Sequence, residues 1–301
     1  MNVSEINKIF SIEGVLQVSE KHIDFPFLEI KNKHAVAIIS LYGGQVLSYK
    51  KTGSSELLFL SEKAFYQKGK AIKGGIPVCW PWFGNDPEDK GRPAHGFARN
   101  TLWELESTEQ LDNGSTKVVM SLQADDDNKK IFTEDFKLTL AVTIGLKLEL
   151  ELTTKNNGQR AFNITQAMHT YFSVNNIDEV SISGLDGAAY LDKAKSNAGE
   201  ENKMQVGDIV FNGEVDRIYL DAPNALQINQ KEVTNPISIQ SKNNKTAVVW
   251  NPWKKLCEQS VDLKTDDYKR FVCVETANAA DDVIEILPGE SFSLCANYSG
   301  E

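Results

Sequence analysis

The sequence predicts an all-β protein, a large antiparallel β-sandwich carrying a few short peripheral helices. Three observations support this. Apolar residues alternate with polar ones over many short runs, turn-forming residues separate those runs, and few stretches show helical periodicity. The chain has 301 residues. All-β sandwiches of about 200–250 residues commonly form one unit, so residues 1–301 are read as a single domain.

Along the chain, residues 4–10 and 61–65 each open with a serine and a nearby glutamate, the signature of a short helix start. Residues 35–41 and 117–123 read as strands. The clearest signal follows in FKLTLAVTIGLKLELELT. Phe136, Leu138, Leu140 and Val142 alternate with polar or small residues, and Leu146, Leu148, Leu150 and Leu152 alternate with Lys147, Glu149 and Glu151. Gly145 between the two runs predicts a hairpin turn. Each arm therefore wets one face and buries the other, as in an antiparallel sheet packed on one side. Further strands are expected over residues 162–174, 237–240, 246–250, 271–275, 283–287 and 291–296. Asn156-Asn157-Gly158, Asn243-Asn244 and Pro288-Gly289 punctuate them.

Composition narrows the function classes. Hydrophobic residues are 41% and charged residues 25% of the chain, which suits a folded globular protein rather than a disordered one. The net charge of −10 disfavours nucleic acid and anionic membranes as partners. The first twenty residues carry three glutamates and lack the apolar run of a secretory signal. Cys79, Cys257, Cys273 and Cys295 show neither C-x-x-C nor zinc-type spacing, so free thiols in a reducing, cytoplasmic setting are expected. Asp125-Asp126-Asp127 lacks the alternating oxygen ligands of a calcium loop and reads as a solvated turn.

Residues 66–103 break the alternating pattern. The segment holds four of the nine prolines and three of the five tryptophans, and long irregular loops of this kind are usually functional. Between Lys68 and Arg99 six basic residues face three acidic ones, a local excess of positive charge in an acidic protein. Prolines and glycines that fix the backbone, tryptophan faces that stack on sugar rings and cations that meet phosphate would together form a phosphosugar pocket. The alternative is that Trp80 and Trp82 are core residues and the lysines are solvated.

His22 and His34 sit in polar segments and read as surface residues. His169 lies in NITQAMHTYFSV, where strand alternation puts Ala167, His169 and Tyr171 on one face. Glu275 ends FVCVE on the same face as Phe271 and Cys273. A carboxylate there must be paired or edge a cleft, because an unpaired buried charge is costly. For both residues a structural role, as a satisfied core histidine or an ion-pair carboxylate, competes with a catalytic one.

The segments KGGIPVCWPWFG, PAHGFARNTLW, AMHTYFSV, EVDRIYL, VVWNPW and FVCVETAN, in this order, resemble the glucose-6-phosphate 1-epimerase branch of the aldose 1-epimerase (galactose mutarotase-like) family. The likeness runs from about Ile38 to the C-terminus. It implies a β-supersandwich that needs neither cofactor nor metal, with His169 as general acid and Glu275 as general base. It also places Arg99, His95 and Asp216 among substrate contacts. Where the family usually has arginine before Gly-Gly-Ile-Pro this chain has Lys73, which keeps the charge but loses the bidentate fork. Ala94 stands where some members carry glutamine, and Ala277 where proline is common. The implied partner is a small hexose phosphate, and a monomer is expected.

Mutarotation needs one base and one acid. A glutamate with a pKa of about 4.3 and a histidine at about 6.5, shifted modestly upward, would supply a carboxylate and an imidazolium. Three rival readings are an epimerase of unphosphorylated sugars, a noncatalytic carbohydrate-binding module and a polysaccharide lyase. The basic loop weighs against the first, the His169 and Glu275 pattern against the second, and the negative net charge against the third.

Overall fold

The computed structural model describes residues 2–194 and 203–300. Two large antiparallel sheets make up the sandwich. The nine-stranded sheet runs in the order Ile209–Val210, Val180–Ser183, Ala225–Gln230, Ile237–Lys242, Ser291–Ser299, Leu148–Asn156, Phe136–Ile144, Thr116–Gln123, Glu104–Gln110. The eight-stranded sheet runs Lys203–Met204, Ala189–Asp192, Val215–Leu220, Thr246–Asn251, Phe271–Asn278, Gln166–Met168, Val78–Cys79, with Tyr171–Ser173 also paired to Phe271–Asn278. A four-stranded meander, Leu16–His22 to Gln45–Lys51, lies N-terminal to both.

The alternation read from sequence is what packs the sheets. Phe136, Leu138, Leu140, Val142 and Ile144 are all buried, while the residues between them are half-exposed. Leu140 faces Leu152 and Val142 faces Leu150 across the hairpin. The sheets are cross-linked by polar contacts as well: Thr170 and Tyr298 hydroxyls are 2.8 Å apart, and Trp80 Nε1 donates to Thr154 Oγ1 at 2.9 Å.

Three local expectations need correction. Leu146 is not part of the second arm. Ile144 pairs with Leu148, so residues 145–147 form the turn, closed by Gly145 N–H to the Lys147 carbonyl at 3.0 Å, and Leu146 projects from its tip, 64% exposed. Residues 61–65 form one turn, not a helix. The Ser61 hydroxyl accepts from Lys63 N–H at 3.1 Å and donates to the Asp262 carbonyl at 2.7 Å, which spends the cap on a long-range tie. The run 162–174 divides into Phe162–Ile164, Gln166–Met168 and Tyr171–Ser173. His169 falls in the last of these breaks.

The first helix, Val3–Phe10, has a capping box between Asn2 and Glu5 and buries only Ile6. A second, Trp253–Gln259, follows Pro252 and was not legible, being short and without a side-chain cap at Pro252. None of the described helices is long and apolar enough to cross a membrane.

Candidate active site

The eight-stranded sheet sets out its side chains in rungs. Ile218, Val248 and Glu275 occupy one rung of three adjacent strands, and Asp216, Trp250, Cys273 and Tyr171 the next. Met168 pairs with Thr276 and Tyr171 with Cys273, so His169 between them falls opposite Glu275. The break there is specific: Thr170 N–H turns back to the Met168 carbonyl, and His169 N–H bonds the Pro77 carbonyl of the irregular loop at 3.0 Å. Sheet register thus brings together two residues 106 positions apart, with His169 Nε2 lying 3.3 Å from Glu275 Oε1.

Both groups are buried, and His169 Nδ1 and Glu275 Oε2 have no partner. Burial holds His169 well below the usual histidine range, and Coulombic interaction with His95, Arg99 and Lys73 acts in the same direction. Burial likewise lifts Glu275 well above the usual carboxylate range, with Asp216 adding to the effect. The expected carboxylate and imidazolium are therefore not the favoured forms of the isolated groups. Desolvation penalises each charge, and the pair prefers to hold its single proton as a carboxylic acid beside a neutral imidazole.

His95 closes the site from the loop. Its backbone has φ +63, its N–H bonds the Gly84 carbonyl at 2.6 Å, and its Nδ1 accepts from Gly84 N–H at 3.3 Å. That leaves Nε2 as the proton-bearing nitrogen. The ring lies edge-on to His169 with centroids 5.9 Å apart, and burial pushes its pKa down to about 3, with Arg99 and Lys73 contributing. Asp216 is pushed up to about 6 by burial, then by Glu214 and Asp192.

The positive charge of the loop resolves into two groups. Lys68 pairs with Asp24, Lys90 with Glu88, and Arg92 with Asp86. Lys70, Lys73 and Arg99 instead line a cavity of about 380 Å³ together with Tyr171, Asn100 and Asp262, within the range of small-ligand pockets. Lys73 Nζ is 3.7 Å from Asp262 Oδ1 and 6.0 Å above the Trp250 ring. Arg99 Nη2 donates to the Ala94 carbonyl at 2.9 Å, and its buried Nε has no partner. Tyr171 joins this cavity to the buried pair, since its ring stacks on His169 at 5.0 Å and 13°. A larger depression of about 780 Å³ lies on the outer face of the nine-stranded sheet, but its carboxylates Glu149 and Glu151 are exposed and no histidine lines it.

Of the residues singled out from sequence, His169, Glu275, His95, Arg99, Lys73 and Asp216 thus gather on one face. The tryptophans do not behave as expected. Trp80, Trp82 and Trp103 are core residues, 0%, 4% and 2% exposed, and offer no face to a sugar. Trp250, missed in the loop-centred reading, stands edge-on to His169 with centroids 5.9 Å apart. Its signal was the period-two run 246–250, which fixes it one rung from Glu275. Asp262 lies in a polar stretch with no pattern to mark it. His22 is exposed as expected, whereas His34 is half-buried and bonds the Asn113 carbonyl at 2.8 Å. All four cysteines are free thiols.

Comparison with known proteins shows the family and the fold. A protein from Escherichia coli K12, provisionally named glucose-6-phosphate 1-epimerase, is 36% identical over 281 residues, covering 92% of each chain. One of the same provisional name from Cenchrus ciliaris is 38% identical over 269 residues, covering 86% of this chain and 80% of its own. The crystal structure of a protein from Salmonella typhimurium, provisionally named a mutarotase, superposes with a TM-score of 0.88 at 30% identity over 98% of both chains. A galactose mutarotase related enzyme from Lactobacillus acidophilus, 15% identical with a TM-score of 0.74 over 91% of this chain and 96% of its own, shares the fold. Residues 26–299, most of the chain, match the aldose 1-epimerase family, and the chain belongs to that family.

Proposed function

We propose that the protein interconverts the α and β anomers of a hexose 6-phosphate, with His169 and Glu275 as the acid/base pair and Lys73 and Arg99 as the phosphate contacts. The observation that carries this reading is the juxtaposition of the 3.3 Å His169–Glu275 pair with a cavity lined by Lys70, Lys73 and Arg99. The provisional names of the relatives point the same way.

The chemistry needs one proton held by the pair. Its neutral form, and the ion pair of Glu275 carboxylate with His169 imidazolium, contain the same proton and differ only in its position across 3.3 Å. Sugar hydroxyls that donate to the carboxylate favour the ion pair. From that form Glu275 takes the proton of the anomeric hydroxyl while His169 gives its proton to the ring oxygen. The bond between C1 and the ring oxygen breaks and a C1 carbonyl forms. Rotation about C1–C2 presents the other face of the aldehyde, and the two transfers run in reverse. No proton is exchanged with solvent over the cycle. Asp216 and the Nε2–H of His95 are placed to hold sugar hydroxyls, and Trp250 and Tyr171 supply apolar walls.

Exchange NMR of the two anomers of glucose 6-phosphate, beside those of free glucose, tests the proposal. Acceleration of the phosphorylated sugar in preference to the free one is expected, and Arg99→Ala should reduce that preference. Equal acceleration of both sugars would instead favour an epimerase of unphosphorylated sugars, and no acceleration of either would remove the catalytic reading.

A further inference from the structure

We infer that Gln45 is a positioning residue that fixes Lys73 for phosphate recognition; this rests on the assignment of Lys73 to the phosphate. Gln45 opens the strand Gln45–Lys51 and is fully buried. Its single amide nitrogen donates to two backbone carbonyls, those of Ile72 at 3.1 Å and Gly74 at 2.6 Å. These are the carbonyls of the residues immediately before and after Lys73. Because both partners are acceptors, the amide nitrogen must face them, which turns Oε1 inward, where it is buried with no partner.

A buried amide with an unmet acceptor costs stability that an apolar side chain of similar volume would not. The surrounding backbone does not need Gln45 to hold its place. Gly75 N–H bonds the Phe59 carbonyl at 2.7 Å, and Ile76 N–H bonds the Val46 carbonyl at 2.8 Å. What Gln45 adds is restraint on the peptide unit that enters Lys73, through the Ile72 carbonyl, and on the unit that leaves Gly74, through the Gly74 carbonyl. The Lys73 carbonyl is held from the other side by Ser61 N–H at 3.1 Å, and Ser61 Oγ also donates to the carbonyl of Asp262, whose carboxylate faces Lys73. The side chain of Lys73 thus leaves a backbone clamped at three successive carbonyls. A flexible lysine, lacking the planar fork of arginine, gains most from an anchored Cα, since less freedom is lost when its ammonium meets the phosphate.

The test is steady-state anomerase kinetics on glucose 6-phosphate for Gln45→Leu, Lys73→Ala and the double variant. Gln45→Leu should raise KM about tenfold with kcat held, the scale of one weakened charge-assisted hydrogen bond, and should add less than about twofold to KM in the Lys73→Ala background. Gln45→Glu, nearly isosteric and protonated when buried, offers one O–H donor in place of two N–H donors. It should give an intermediate KM, and it serves if Gln45→Leu does not fold. If Lys73→Ala leaves KM unchanged, the phosphate assignment falls and this inference with it. If Lys73→Ala raises KM but both Gln45 variants leave it alone, lower kcat instead, or act equally in the Lys73→Ala background, the inference alone is overturned.

Discussion

The proton shared by His169 and Glu275 sets what a pH profile must look like. The lowered pKa of His169 and the raised pKa of Glu275 move the two limbs apart from the positions that free side chains would give. Addition of a second proton to the pair is pushed to pH values well below 6.5. Loss of its single proton, from Glu275, is pushed well above 4.5. These limbs are properties of the coupled pair rather than of either residue. Asp216, pushed up to about 6, and the substrate phosphate, with a second pKa of about 6, titrate in the same region. The expected result is therefore that no inflection near the value of a free imidazole survives in kcat of Asp216→Asn at saturating substrate; one that does survive would contradict the shared-proton account. His169→Ala and Glu275→Gln should each lower kcat about 10²–10⁴-fold, the usual contribution of a positioned proton transfer. Asp262 gives a prediction of opposite sign. Its carboxylate lies 3.7 Å from Lys73 and competes with an incoming phosphate for the same ammonium, so Asp262→Asn should lower KM for glucose 6-phosphate. An unchanged or higher KM would show that Asp262 orients Lys73 instead of competing for it.

Among the elements, the loop of residues 66–103 carries most of the site and was legible only in part. Its irregular composition marked it as functional, and within it Arg99 and Lys73 do line the cavity while His95 meets the His169 ring. Which of its cations are free to meet a ligand could not be read, because Asp24, which neutralises Lys68, belongs to the N-terminal meander and is distant in sequence. The tryptophans misled for a similar reason. An indole in a Pro/Gly-rich loop looks like a ligand platform, yet Trp80 is taken up by Phe97 of the same loop and by Phe132 and Phe136 at the entry to the strand Phe136–Ile144. Strand residues were easier. Period two alone put Glu275 and Trp250 on a definite face, but only the register shows that His169 meets Glu275. Gly96 illustrates the loop's dependence on exact backbone geometry. It has φ +70, and a Cβ there would strike the Trp80 carbonyl. Gly96→Ala should cost at least about 1–3 kcal/mol in backbone strain and, by displacing the adjacent His95, reduce anomerase activity. Wild-type values in both urea denaturation and the exchange assay would show that the loop tolerates a shift.

Across the whole molecule, the two sheets are joined beside the proposed catalytic pair, at the residue after His169. Tyr298, fully buried on the nine-stranded sheet, meets the hydroxyl of Thr170 at 2.8 Å, and its ring packs edge-on against Phe172 with centroids 5.1 Å apart. Thr170 is the residue after His169, and it donates to the Met168 carbonyl at 3.3 Å. With Thr170 Oγ1 donating to Met168, the shared contact is best satisfied by the Tyr298 hydroxyl donating to Thr170. This bond holds the break in the strand that lets His169 stand out of the regular ladder, so the sandwich core and the candidate active site share one support. Tyr298→Phe keeps the ring and removes only the hydroxyl, leaving a buried acceptor on Thr170 without its donor. The expected cost is about 1–2 kcal/mol, seen as a lower urea midpoint with an unchanged slope, because the surface exposed on unfolding is the same. If the bond also steadies His169, kcat should fall while KM for glucose 6-phosphate stays put, since the proposed phosphate contacts Lys73 and Arg99 lie on the loop and not on this strand. A loss of stability with full kcat would confine Tyr298 to the core. A loss of kcat without any change in the midpoint would mean that the hydroxyl acts on His169 by a route other than the tie between the sheets.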